Sequence, residues 1–126
     1  MKRVFAIVAV LVAAPLVSVE VGCGDSGTGA GTSGIDCNAT PPKGYSELGL
    51  AFAKCTSCHS SKLTDPTSRQ AAPLGNDYDT YELATQWTAD ICASIEDGTM
   101  PPAGSATLTT TEENDLLAWC SCGAPQ

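Results

Sequence analysis

The sequence predicts an all-α domain of three main helices, and three observations carry that prediction. No segment shows the alternation of apolar and polar residues that a half-buried strand requires. Leu83, Trp87, Ile91 and Ile95 recur at four-residue spacing, the repeat of one helix face. Thr109-x-x-Glu112 sets a capping hydroxyl three residues before a carboxylate that can reach back, a capping box that opens a helix.

The elements follow in order. A first helix is expected from about Ser46 to Cys58, with Leu48, Ala51, Phe52 and Cys55 on one face. A loop broken by glycine and proline runs on to about Asp77. A second helix is expected from about Thr80 to Asp97, stopped by Gly98. The last begins at Thr109, carries Leu116, Leu117, Trp119 and Cys120, and breaks at Gly123.

The first helix ends in Cys55-Thr56-Ser57-Cys58-His59, the attachment pattern of a c-type haem. Two thiols one helical turn apart can add to the two vinyl groups of a porphyrin edge. The imidazole that follows then lies under the iron, and His59 is the only histidine in the chain. A thioredoxin-like redox pair shares the cysteine spacing, but it belongs where a strand enters a helix, and no strand-rich segment surrounds Cys55. A zinc knuckle would need a fourth ligand that Cys55, Cys58 and His59 lack nearby.

The second iron ligand expected is Met100. Only Met1 and Met100 occur, and Met100 lies in Gly98-Thr99-Met100-Pro101-Pro102, 41 residues after His59. A thioether favours reduced iron, and histidine–methionine ligation raises a haem's potential. The prolines fix φ just past the ligand and stiffen the loop. In isolation a methionine is more often a filler of core gaps. The haem motif upstream reverses that preference. Lys54 and Lys62 lie too close to the motif to cross the ring.

Together these segments resemble the small monohaem cytochromes c of class I, over roughly residues 37–126. The matching stretches are Cys55-Thr56-Ser57-Cys58-His59, Ala72-Pro73-Leu74-Gly75, Met100-Pro101-Pro102 and the closing helix with Leu116, Leu117 and Trp119. The resemblance implies a cytochrome c-like fold of three main helices wrapped around one covalent haem. It also implies that a proline carbonyl accepts a hydrogen bond from the other nitrogen of His59. Pro73, 14 residues after His59, matches that position, with Pro66 the weaker candidate. Such a bond fixes the ring and raises its basicity. One departure concerns helix packing. The family places a glycine eight and an aromatic four residues before the first haem cysteine, whereas Gly49 is six and Phe52 three before Cys55.

Residues 1–22 read as an export signal: Lys2 and Arg3, then an apolar run from Val4 to Val19. Val21-Gly22-Cys23 followed by a Gly/Ser/Thr-rich stretch resembles a bacterial lipoprotein cleavage site. Cys23 would become the lipidated first residue, although Glu20 fits the pattern poorly. Ordinary cleavage and an uncleaved anchor are the alternatives. All three place the domain outside the cytoplasm, where haem attachment to such motifs occurs in bacteria. Gly24 is not the aspartate that often retains lipoproteins in the inner membrane, which points to the outer one. Residues 23–36 form the expected tether. A dozen flexible residues span roughly 20 Å, enough for a carrier to reorient near a membrane.

Removing Lys2, Arg3 and Glu20 with the leader leaves four cations against thirteen carboxylates, a formal charge of −9. Nucleic acid is disfavoured as a partner, since phosphate contact needs cationic surface. A steered redox partner would have to present a basic patch. Of the seven cysteines, Cys23 is assigned to lipid and Cys55 and Cys58 to haem, which leaves four. Four cysteines allow three pairings. Cys120 and Cys122 should point in different directions, which argues against joining them. Cys92–Cys120 with Cys37–Cys122 is preferred, the crossed arrangement being the alternative.

With His59 and Met100 on opposite faces, iron has no open position. The expected function is therefore one-electron transfer rather than catalysis. A haem enzyme or gas sensor would need a displaceable Met100 and a distal acid–base group, and there is no second histidine to supply one. A structural haem subunit of a larger respiratory complex is the other alternative. Tyr78, Tyr81 and Trp87 could donate hydrogen bonds to haem propionates or to the methionine sulfur, or serve as ordinary core aromatics. A chain with two tryptophans and two phenylalanines is near the limit of what its own core supports, so the porphyrin is expected to complete that core.

Overall fold

The computed structural model describes residues 34–126. The leader, Cys23 and most of the tether lie outside the described residues. Within them the chain is helical, with no strand beyond a lone bridge residue at Asp36. There are four α-helical segments: α1 (Gly49–Cys55), α2 (Tyr81–Ala84), α3 (Thr88–Glu96) and α4 (Thr110–Ser121). Two 3₁₀ turns join them, Tyr45–Leu48 before α1 and Thr85–Trp87 between α2 and α3. Among the described residues no helix is long and apolar enough to cross a membrane.

Two of the expected helices differ from the sequence pattern. The first enters as a 3₁₀ turn, and its α-helical part stops at Cys55. The chain nevertheless keeps turning, because the N–H groups of Cys58 and His59 both donate to the Cys55 carbonyl, at 3.1 and 2.9 Å. The second is broken between Ala84 and Thr88. Thr85 Oγ1 donates back to the Glu82 carbonyl at 3.2 Å and Thr88 Oγ1 to the Thr85 carbonyl at 3.4 Å. Hydroxyls that back-bond in this way compete with the helical ladder and bend it. The Trp87 indole N–H is also drawn to the Gly75 carbonyl, at 3.1 Å.

The core forms where α1 meets α4. Leu48, Ala51 and Phe52 from the first unit pack with Leu116 and Trp119 from α4, joined by Ala84, Ile91 and Tyr78. The ring of Phe52 meets Trp119 edge-on, centroids 5.2 Å apart, and that of Tyr45 lies 4.5 Å from Phe52. Trp119 is wholly buried, and its indole N–H donates to the Pro125 carbonyl at 2.7 Å. The C-terminal residues therefore fold back over the helix pair. Gly44 lies so close to them that an added Cβ would overlap the Gln126 carbonyl.

The Thr109 capping box is formed. Thr109 Oγ1 accepts from the Glu112 N–H, and Glu112 Oε2 accepts from the Thr109 N–H at 2.6 Å. The same carboxylate takes Lys54 Nζ at 2.6 Å, which ties the start of α4 to the end of α1. Disulfides close the periphery. Cys92–Cys120 links α3 to α4, and Cys37–Cys122 ties the N-terminal segment to the end of α4. These are the preferred pairs, and Cys55 and Cys58 stay free.

Candidate functional site

The turn that follows α1 sets Cys55, Cys58 and His59 on the wall of one cavity of about 210 Å³. Met100, Pro101 and Pro102 line it too, as do Pro73 and Tyr78, with Ile91, Ile95 and Leu108 adding apolar surface. All five residues expected to contact a haem (Cys55, Cys58, His59, Pro73 and Met100) therefore share this cavity.

Cys58 is buried and Cys55 half-buried. Burial pushes the Cys55 thiol up to about 11, with Glu112 adding to it, so at neutral pH the group is a thiol and not a thiolate. His59 is buried and stacks on Tyr78, the rings 4.5 Å apart and within 12° of parallel. Its Nδ1 lies 3.0 Å from the Asn76 carbonyl. A carbonyl can only accept, so Nδ1 carries the proton and Nε2 keeps its lone pair. Burial, and secondarily the Arg69 charge, push the imidazole pKa below its ordinary value, against the Asn76 carbonyl that raises it. The ring is held neutral and single-tautomer, the form that binds a metal.

The partner of His59 differs from the expected one. The Pro73 carbonyl accepts instead from Arg69 Nη2, at 2.6 Å, and the Pro66 carbonyl from the Ala71 N–H, at 3.0 Å. The reason is the path of the loop. The His59 carbonyl accepts from the Tyr78 N–H at 2.8 Å, which draws residues 76–78, rather than Pro73, alongside the ring.

Arg69 organises that loop and has no counterpart in the motif reading. It is 1% exposed, yet all three guanidinium nitrogens are engaged. Nε donates to Ala72 O at 3.1 Å; Nη1 to Ser60 O at 2.7 Å, Leu63 O at 3.2 Å and Asp77 Oδ1 at 2.7 Å. Nη2 donates to Pro73 O at 2.6 Å and to Asn76 O at 3.0 Å. Gln70 and Ala71, both on the cavity wall, take left-handed backbone with φ of 49° and 68°. That conformation costs a non-glycine residue about 1–2 kcal/mol, which the clamp on Arg69 offsets. The one sequence signal was compositional: Arg69 is the only arginine besides Arg3.

Met100 is partly exposed at 38% and held by its backbone, the N–H donating to Ser94 O at 2.9 Å. Asp97 Oδ1 accepts from Thr99 N and Oγ1, at 2.9 and 2.7 Å, and shapes the approach to it. Of Tyr78, Tyr81 and Trp87, Tyr78 lines the cavity. Tyr81 donates its hydroxyl to the Ala124 carbonyl at 3.2 Å, and Trp87 braces Gly75. Burial pushes the Tyr78 phenol up to about 12, so it remains a donor at any physiological pH. Among the described residues no three His, Cys, Asp or Glu side chains are grouped to hold a metal ion. A site built from one imidazole and one thioether would not form such a group.

Comparison with known proteins gives no relative: no family model, no curated protein and no solved structure matches this chain.

Proposed function

We propose that residues 37–126 form an electron-transfer domain that carries one haem, bound by thioether links to Cys55 and Cys58 and ligated by His59 and Met100. The fold would then be that of a small cytochrome c. The observation that carries this reading is the shared cavity. The only histidine of the chain, the only methionine beyond Met1 and, among the described residues, the two cysteines outside disulfides all line it.

When bound, the haem supplies a one-electron couple. The protein's part is to hold and tune it. Cys55 and Cys58 fix one porphyrin edge. Nδ1 of His59, bonded to Asn76, leaves the lone pair of Nε2 as the one that would be offered to the iron. Met100 would supply the second ligand, a thioether that favours the reduced state. With His59 and Met100 both supplied as ligands, no position would remain for a substrate, and the domain would act as a carrier rather than an enzyme. Its place is the periplasmic side of a bacterial membrane, held through a lipid on Cys23 and meeting redox proteins that present basic surface.

Expression beside a working haem-attachment system tests this reading. The expected product is red, low-spin, with a weak near-infrared sulfur-to-iron band that Met100→Ala abolishes while lowering the potential. A colourless product, or a band that survives Met100→Ala, overturns it.

A further inference from the structure

The Asn76 carbonyl receives two donors: Nδ1 of His59 and Nη2 of Arg69, each at 3.0 Å. Arg69 is buried, does not touch His59 directly in any of its hydrogen bonds, and spends its donors on the loop carbonyls and on Asp77. Asp77 follows Asn76 in the chain, so the ion pair at 2.7 Å anchors the same peptide that faces the imidazole. Nothing in this arrangement leaves the guanidinium free to reach a ligand in the cavity. Arg69 lines the cavity and its charge is felt by His59 through space, an effect that a charge-conserving substitution retains; what depends on its hydrogen-bond geometry passes through the shared oxygen.

Resting on the proposed haem reading, we infer that Arg69 is a positioning residue of the redox centre: it holds the Asn76 carbonyl against His59 and limits the strength of that hydrogen bond. A carbonyl oxygen has two lone pairs, and a charged N–H draws more density from it than a neutral one. The oxygen that also serves Arg69 is therefore a weaker acceptor for Nδ1–H. The outer hydrogen bond of a ligating histidine sets how strongly the ring donates to its metal, and bonds of this kind tune haem potentials. A weaker bond leaves the ring less imidazolate-like and favours the reduced state. Arg69 thus raises the potential without contact to the iron's ligands, in the same direction as Met100.

Arg69→Lys is the decisive variant because it keeps the charge. A lysine ammonium is a point donor and cannot reproduce the planar fork that spans Ala72, Pro73 and Asn76. The holoprotein is examined by redox titration and by NMR of the His59 Nδ1–H proton in the reduced state. With the sulfur-to-iron band intact, the expected result is a lower potential together with a downfield shift of that proton. Net charge cannot produce this, since none is lost. Asp77→Asn supplies the converse if the lysine variant does not accumulate: released from its counter-charge, Arg69 donates more strongly to Asn76, and the His59 proton moves upfield. An unmoved His59 proton, or shifts opposite to these, overturns the inference. That outcome in a red protein with its near-infrared band refutes the role of Arg69 alone, whereas a wild type without haem refutes the reading beneath it.

Discussion

The two sides of this small domain are held together by different physics. Where α1 meets α4, the contact is apolar: Leu48, Phe52, Leu116 and Trp119 are each at most 3% exposed. Around His59, the 60–77 segment is held by one buried guanidinium that gathers five backbone carbonyls and one carboxylate. The first kind of contact is non-directional and tolerates repacking. The second is directional, and removing its centre strands buried acceptors and an unpaired Asp77. Directional contacts sit where rigidity is needed. An imidazole that must keep one tautomer and one orientation is placed by hydrogen bonds, and the mass of the fold by burial.

The largest effects should come from attacking the centre of either side. Trp119→Ala should cost about 3–5 kcal/mol in global stability, read from the denaturation midpoint. Arg69→Ala should cost about as much, since it breaks a buried pair by removing one partner. The two should separate by hydrogen exchange. Trp119→Ala should speed exchange throughout α1 and α4, whereas Arg69→Ala should first release the amides of residues 60–77. Uniform acceleration in both variants would erase the distinction.

Opening the Cys37–Cys122 link by Cys37→Ser with Cys122→Ser should cost about 2–4 kcal/mol, because that bond closes 85 residues of chain. The loss should appear at the helix pair, leaving the His59 environment unchanged by NMR. Without haem, residues 37–126 should unfold with a broad, weakly cooperative transition, since the apolar cavity wall of Ile91, Ile95 and Leu108 would have nothing packed against it. A sharp calorimetric transition in the haem-free protein would contradict this.

The smallest effect concerns acid. Hydrogen bonds from Lys54 and Thr109 hold the Glu112 carboxyl down at about 2, from an ordinary 4.5. Its folded pKa is depressed, so its contribution is present above the ordinary value and is lost as pH falls from about 4.5 towards about 2. Glu112→Gln should flatten that part of the stability–pH curve and leave neutral-pH exchange around His59 unaltered.

The same contrast explains what could be read from the residues alone. Burial leaves a period, so the face of Leu48, Ala51 and Phe52, the closing helix and its Thr109–Glu112 box were all visible as patterns. The haem motif set Cys55 and Cys58 apart; counting the remaining cysteines and excluding Cys120–Cys122 left two pairings, of which the structure carries the preferred one. A guanidinium that bonds backbone carbonyls leaves no period, because every residue carries a carbonyl. Arg69 therefore left no pattern beyond its rarity, and with it went the turn that sets Asn76, not Pro73, against His59. The break at Thr85–Trp87 was hidden for a related reason: the four-residue spacing of Leu83, Trp87 and Ile91 persists across it, while the hydroxyls that bend it act on the backbone.

We propose a porphyrin held by Cys55 and Cys58 beside His59 and Met100. That attachment is tested most directly by denaturing the chain purified from a haem-attaching host, alkylating it without reduction and weighing the peptide that contains Cys55-Thr56-Ser57-Cys58-His59. The expected peptide carries the mass of one haem and no alkyl group. Two alkylated cysteines on a peptide of otherwise plain mass would contradict it.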